Sequence, residues 1–262
     1  MVEIKFAIAG EVLSLNFKQN RLFSSFINER RGFLTDKKAD FSIYFFDGKE
    51  KKDLFTVGIS QKKSDKNINI RNWEQLERSF NTKCLEIGML EPIGLENYLR
   101  VFFSHYLFRK GGFLLHASTV GYKNKAFVFT GPSGTGKSTI ARISKDKMVL
   151  TDDLVAIKRI EDTYYAFATP FGLQNKAAGT AHLPISGIYL ISHGQSTTCR
   201  KLPLKQALAK VMSNIVLIGA DSLDLPVDNL FDNCYNALKD TPCYGLSFNK
   251  NEDIWRYLKN AQ

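Results

Sequence analysis

Eight residues near the middle of the chain, Gly131-Pro132-Ser133-Gly134-Thr135-Gly136-Lys137-Ser138, satisfy the pattern G-x-x-x-x-G-K-[ST], with Thr139 directly after. Glycines at such positions let a backbone curl until successive N–H groups point inward, and a ring of amides binds phosphate oxygens. In that setting Lys137 reaches the β- and γ-phosphates of a nucleoside triphosphate, and the Ser138 hydroxyl serves magnesium. The pattern therefore predicts ATP and Mg2+ as cofactors. Two acids follow closely: Asp152 and Asp153 close the next apolar run, MVLTDD. Neighbouring side chains on a strand point to opposite faces unless the strand bulges there, so the two carboxylates are expected to have different jobs. One would hold magnesium, directly or through water. The other would accept the proton of an incoming hydroxyl, mainly positioning it, because in phosphoryl transfer the proton moves late.

Positioning these groups requires a strand before the loop, a helix after it and a second strand carrying the acids. All three are legible. AFVFT runs into the loop, a helix is predicted from Lys137 to about Lys145, and MVLTDDLVAIKRI reads as one strand crossing both aspartates. A glycine-rich turn with an incidental lysine would need none of that context. FLLHASTV reads as a strand joined to AFVFT by a short hairpin, and TYYAFATP, HLPISGIYLIS and CYGLSF as further strands. LPLKQALAKVMSNI, opened by Pro203, reads as a helix, as do PVDNLFDNCYNALKD and NEDIWRYLKN. The predicted fold class is α/β with a mixed sheet.

Upstream, GLENYLRVFFSHYLFRKGG carries apolar residues at three- and four-residue spacing, which predicts an amphipathic helix ended by Gly111. Before it the chain looks β-rich: VEIKFAIAG, EVLSLNF, FSIYFF and LFTVGI read as strands. The charged stretches from Asp47 to Asp53 and from Gln61 to Asn67 read as solvated hairpin tips. The expected boundary lies near residue 90, with a β-rich N-terminal domain at 1–90 and the phosphate-loop domain at 91–262.

Composition narrows the classes. The 262 residues are 44% hydrophobic and 24% charged, enough apolar content for real cores. The net charge of +10 is spread, +4 before residue 90 and +6 after it. No clustered basic face or aromatic platform stands out, so a nucleic-acid partner is not expected. No run of about 18 apolar residues occurs, so no membrane span is expected, and MVEIKFAIAG reads as a strand rather than a signal peptide. Cys84, Cys199, Cys234 and Cys243 form no C-x-x-C pair. Cys234 and Cys243 could in principle pair, but four scattered cysteines fit reduced thiols in a cytoplasmic protein.

The loop and the paired aspartates together resemble the HPr kinase/phosphorylase superfamily, which includes ATP-dependent phosphoenolpyruvate carboxykinase. GPSGTGKST is similar to the carboxykinase loop and TDDLVAI to the kinase's paired-aspartate strand. His116, in LLHASTV, precedes Lys137 by 21 residues (116 to 137), the separation found in HPr kinases. Alone, this histidine would read as a core residue bonded to backbone. The resemblance implies instead that it sits near the γ-phosphate and polarises the site. It also implies that Lys137 and Asp153 are catalytic, with Asp153 as base, and that Ser138 and Asp152 serve magnesium. The segment AHLPISGIYLIS has Ser186-Gly187 and lacks the glutamate and the arginine of the kinase's dephosphorylation segment. HPr-kinase-like bacterial proteins match more fully, down to a Pro-Phe segment, here Thr169-Pro170-Phe171-Gly172. Some of those relatives phosphorylate a peptide serine, and the superfamily often forms homo-oligomers.

The expectation is an ATP-dependent phosphotransferase. Its acceptor would be a protein, peptide or small molecule bearing a hydroxyl, with serine foremost. Two rival readings remain: a small-metabolite hydroxyl kinase, and a nucleotide-gated binding module without catalysis. His105, His182 and His193 are expected to be structural or exposed.

Overall fold

The computed structural model describes residues 1–17, 24–47, 56–62, 65–71, 73–89, 95–172, 178–218 and 227–258. Alternation at the N-terminus becomes a hairpin: β1 (Val2–Ile8) and β2 (Glu11–Phe17) pair antiparallel. Ala9 and Gly10, with φ of 51° and 81°, make the two-residue turn. Helix α1 (Ser24–Glu29) and β3 (Phe41–Asp47) follow. Next come the hairpin β4 (Thr56–Lys62) and β5 (Asp65–Arg71), helix α2 (Trp73–Thr82) and β6 (Cys84–Met89). The sheet order is β1-β2-β3-β6, with β3 parallel to both neighbours. Strand β2 is buried at all seven positions, so its outward side chains are covered too.

Helix α3 (Leu95–Arg109) is a correction to the amphipathic expectation: every residue from Val101 to Phe108 is buried. Its first turns belong to the core of this unit, where Phe41 meets Phe102 at 4.6 Å and Tyr106 at 5.6 Å between ring centroids. The Tyr106 hydroxyl donates to Glu11 at 2.9 Å. Among the described residues the chain forms two units, one of Met1–Tyr106 with Ile218 and one of Leu107–Leu217 with the residues from Val227 onward. Of the two charged stretches expected as hairpin tips, 48–53 lies outside the described residues. The other falls at the β4–β5 connection, with Lys62 opposite Asp65.

In the second unit, β7 (Phe113–Tyr122) and β8 (Lys125–Thr130) form the expected hairpin. Then come α4 (Lys137–Ile143), β9 (Met148–Thr151), β10 (Leu154–Ile160), β11 (Thr163–Phe167) and β12 (His182–His193). The rest is β13 (Thr198–Lys201), α5 (Leu204–Met212), β14 (Ile215–Val216), α6 (Val227–Lys239), β15 (Cys243–Phe248) and α7 (Ile254–Leu258). The sheet runs β11-β10-β7-β8-β12-β15-β13, with β9 and β14 also on β7. Strands β8, β12 and β15 are mutually parallel, so the mixed α/β class holds.

The sheet is covered on both faces. On one, Leu115, Val128, Ile188 and Leu190 pack with Leu208 and Val211 of α5 and Ala237 and Leu238 of α6. On the other, Phe127, Phe129, Tyr189 and Leu246 pack with Ile140 of α4 and Trp255 of α7. Trp255 donates its indole N–H to the Ser144 hydroxyl at 3.0 Å, tying the last helix to the end of α4. Among the described residues no helix is long and apolar enough to cross a membrane.

Candidate active site

Because β8, β12 and β15 run parallel, their carboxyl ends lie side by side, the place where open α/β sheets bind ligands. The glycine-rich loop leaves β8 there. Its last glycine, Gly136, has φ of 100°, and a Cβ on it would lie 2.6 Å from the Phe248 ring. Gly131 is backed by the Ile191 carbonyl, 3.1 Å from where its Cβ would be. Gly134, at φ of 81°, faces open space. The loop thus lies on a bed made by the ends of β12 and β15. His193, at the end of β12, has its Nε2 2.9 Å from the Gly134 carbonyl. A carbonyl only accepts, so that nitrogen carries the hydrogen. Thr135 closes the loop from within, its hydroxyl donating to the Pro132 carbonyl at 2.7 Å.

Lys137 opens α4 and is 6% exposed. Its ammonium donates to the carbonyls of Gly131 (2.7 Å) and Pro132 (2.9 Å), inside the loop it belongs to. Burial holds its pKa below the ordinary lysine value, and the negative charge of Asp153 partly offsets that. Pro132, Ser133 and Ser138 are exposed and Thr139 is half-buried. Helix α4 has only seven residues, anchored by buried Ile140 and Ala141.

The two aspartates do not sit on a continuous strand. Strand β9 ends at Thr151, Asp152 and Asp153 form a bend, and β10 begins at Leu154. The bend is held from three sides. The Asp153 carbonyl accepts from the Ala117 N–H at 2.9 Å, and the Asp153 N–H donates to the Thr151 hydroxyl at 3.3 Å. Thr169 donates to the Leu154 carbonyl at 2.6 Å. At this bend the two acids differ in depth: Asp152 is buried, whereas Asp153 is half-buried.

His116 lies on β7, opposite Leu154. Its N–H donates to the Asn214 carbonyl at 2.9 Å and its carbonyl accepts from Thr130, the last residue of β8, also at 2.9 Å. Its ring is 38% exposed, with Nε2 3.5 Å from an Asp153 carboxylate oxygen. The structure therefore brings His116 to Asp153 and sets Asp153 within electrostatic reach of Lys137.

Of the other histidines, His105 is fully buried, with Nε2 2.8 Å from the Ile218 carbonyl, and His182 stacks on Phe167 at 4.9 Å. His193 was expected to be structural or exposed, and it is exposed; its contact with the loop has no signal in the sequence. That contact depends on β12 and β8 being parallel neighbours in one register, as does the bed under Gly136.

Among the described residues no three His, Cys, Asp or Glu side chains gather into a ready-made metal cage. Magnesium is usually held by one or two carboxylates together with substrate phosphates. Exposed Ser138 and buried Asp152 have hard oxygen donors of the kind magnesium takes.

No family model matches the sequence, and no curated protein matches it. Among solved structures the chain is similar to the Hpr(Ser) kinase/phosphatase of Coxiella burnetii. The identity is 11%, the match covers 56% of this chain and 95% of that one, and the TM-score is 0.34. A structural relationship that weak carries no argument about activity.

Proposed function

We propose that the chain transfers the γ-phosphate of Mg-ATP to a hydroxyl, with a serine of a peptide or protein as the acceptor class. The observation that carries this reading is the His116–Asp153 pair together with a buried Lys137 at the start of the helix after the loop. The buried Lys137 ammonium feels the charge of Asp153, and Asp153 lies 3.5 Å from the His116 ring.

On nucleotide binding, Lys137 exchanges two neutral carbonyl partners for phosphate oxygens, and hydrogen bonds to an ionised acceptor are the stronger kind. The loop amides take the remaining phosphate oxygens. Ser138 and Asp152 would hold magnesium, which would supply positive charge to offset that of the phosphates. Asp153, the more exposed carboxylate, accepts a hydrogen bond from the incoming hydroxyl and orients it. His116 keeps that carboxylate aimed and, when protonated, adds positive charge beside the transferred group.

The test uses γ-labelled Mg-ATP and a pool of serine peptides. Wild-type protein is expected to label the pool. Asp153→Asn is expected to lower the rate about 10²–10⁴-fold, the usual range for loss of a positioned acid or base. Equal labelling by wild type and variant, or none by wild type, contradicts the proposal.

A further inference from the structure

On the sheet face that carries α5 and α6, a groove of about 580 Å³ runs up to Gly131 and Pro132. That volume falls within the span of small-ligand sites, roughly 300–1,000 Å³. Strand parity decides what faces it. Ser192 follows Leu190 on one side of β12, and Ser247 follows Gly245 on the same side of β15. Two cations line it, Arg200 from β13 and Lys210 from the last turn of α5, and both are exposed. No carboxylate is among the described lining residues. At the far side stands Asn214, whose main-chain carbonyl holds the N–H of His116. The groove thus joins a positively charged end to the start of the phosphate loop; Leu115 and Ala117 share its face of the sheet, so the His116 ring between them points to the other.

We infer that this groove seats the phosphoryl acceptor, and that the acceptor carries an anionic group, carboxylate or phosphate, close to the hydroxyl. This rests on the phosphotransfer reading above. Arg200 and Lys210 grip the anion, and the serine hydroxyls at the ends of β12 and β15 supply weaker hydrogen bonds. In the step itself the acceptor oxygen bonds to the γ-phosphorus and the bond from that phosphorus to the β–γ bridging oxygen breaks. ADP leaves, and the hydroxyl proton passes to Asp153 and on to water. The anion has two sources, an acidic residue flanking the serine of a peptide or a free small hydroxylated acid or phosphate ester.

Binding tests the inference without needing turnover. Fluorescent serine peptides flanked by Glu or by Gln are titrated into the full chain with magnesium and a non-hydrolysable ATP analogue. Citrate and glycerol 3-phosphate serve as competing small anions. The Glu peptide is expected to bind about tenfold more tightly than the Gln peptide at low ionic strength, where screening is weak. Arg200→Ala combined with Lys210→Ala should erase that preference and leave affinity for the ATP analogue within about twofold, or about 0.4 kcal/mol. Displacement of the peptide by micromolar small anion supports the inference and identifies the small-molecule source. Retention of the peptide against millimolar anion supports it and identifies the peptide. Equal binding of both peptides, no binding of any probe, or a double variant that loses the ATP analogue instead overturns it. A chain that binds acidic probes here and transfers no phosphate fails the kinase reading alone.

Discussion

At the scale of the residue, the site depends on a few groups in unusual states. Lys137 is buried, and loss of hydration disfavours its ammonium form relative to a solvated lysine even though two loop carbonyls accept from it. A lowered pKa means deprotonation begins at lower pH. The rate of amine acylation at Lys137, mapped by mass spectrometry, should therefore reach its midpoint below the ordinary lysine value. Mg-ATP should move that midpoint upward, because phosphate charge favours the ammonium. A midpoint at or above that of surface lysines would contradict this account. Gly136 is the second such residue. A side chain there meets both a left-handed backbone and the Phe248 ring. The backbone conformation alone costs about 1–2 kcal/mol for an L residue. Gly136→Ala is expected to weaken Mg-ATP binding at least about tenfold, the equivalent of 1.4 kcal/mol, with the circular dichroism of the fold unchanged. The types of these residues were readable in the motif. The partners that constrain them, Phe248 and His193, lie far along the chain and had no signal in it.

At the scale of the element, the strand–loop–helix unit was legible because its punctuation is strong: an apolar run, three glycines, then a helix. The paired aspartates were misplaced for a physical reason. An apolar run on both sides of Asp152-Asp153 reads as one strand, yet side-chain and backbone bonds from Thr151, Ala117 and Thr169 hold a bend between two strands on β7. Thr169 is fully buried and satisfies the Leu154 carbonyl next to the bend. Thr169→Val keeps the shape and strands that carbonyl, a loss of about 1–3 kcal/mol. Urea denaturation should read that loss in the midpoint with the slope unchanged. A variant as stable as wild type would mean the bend is held elsewhere. Helix α3 shows the opposite error. Its spacing suggested one apolar face, but its central residues are buried all round, which spacing alone does not reveal when the polar face is as short as Ser104 and His105.

At the scale of the whole molecule, every candidate site residue lies in the second unit, between Leu107 and Leu217. Composition had suggested two domains. It gives no sign that residues of α3 such as Phe102 and Tyr106 add to the first unit's core. The cysteines follow the expectation of free thiols: all four are unpaired. Burial pushes Cys234 and Cys243 up to about 12, so neither is a thiolate at neutral pH. Both should resist thiol reagents in the native chain and react only on unfolding; rapid native labelling of either would contradict the packing of α6 against β15. The central claim is that the carboxyl ends of β8, β12 and β15 support a cradle for a triphosphate, gripped by Lys137. Its most direct test is the equilibrium affinity for Mg-ATP of wild type, Lys137→Met and Asp153→Asn, measured by calorimetry. A hydrogen bond to a charged group contributes about 1.5–3 kcal/mol, so Lys137→Met should bind roughly ten- to a hundredfold more weakly, with Asp153→Asn close to wild type. Wild-type protein that does not bind Mg-ATP, or a Lys137→Met variant that binds it equally well, would contradict the account.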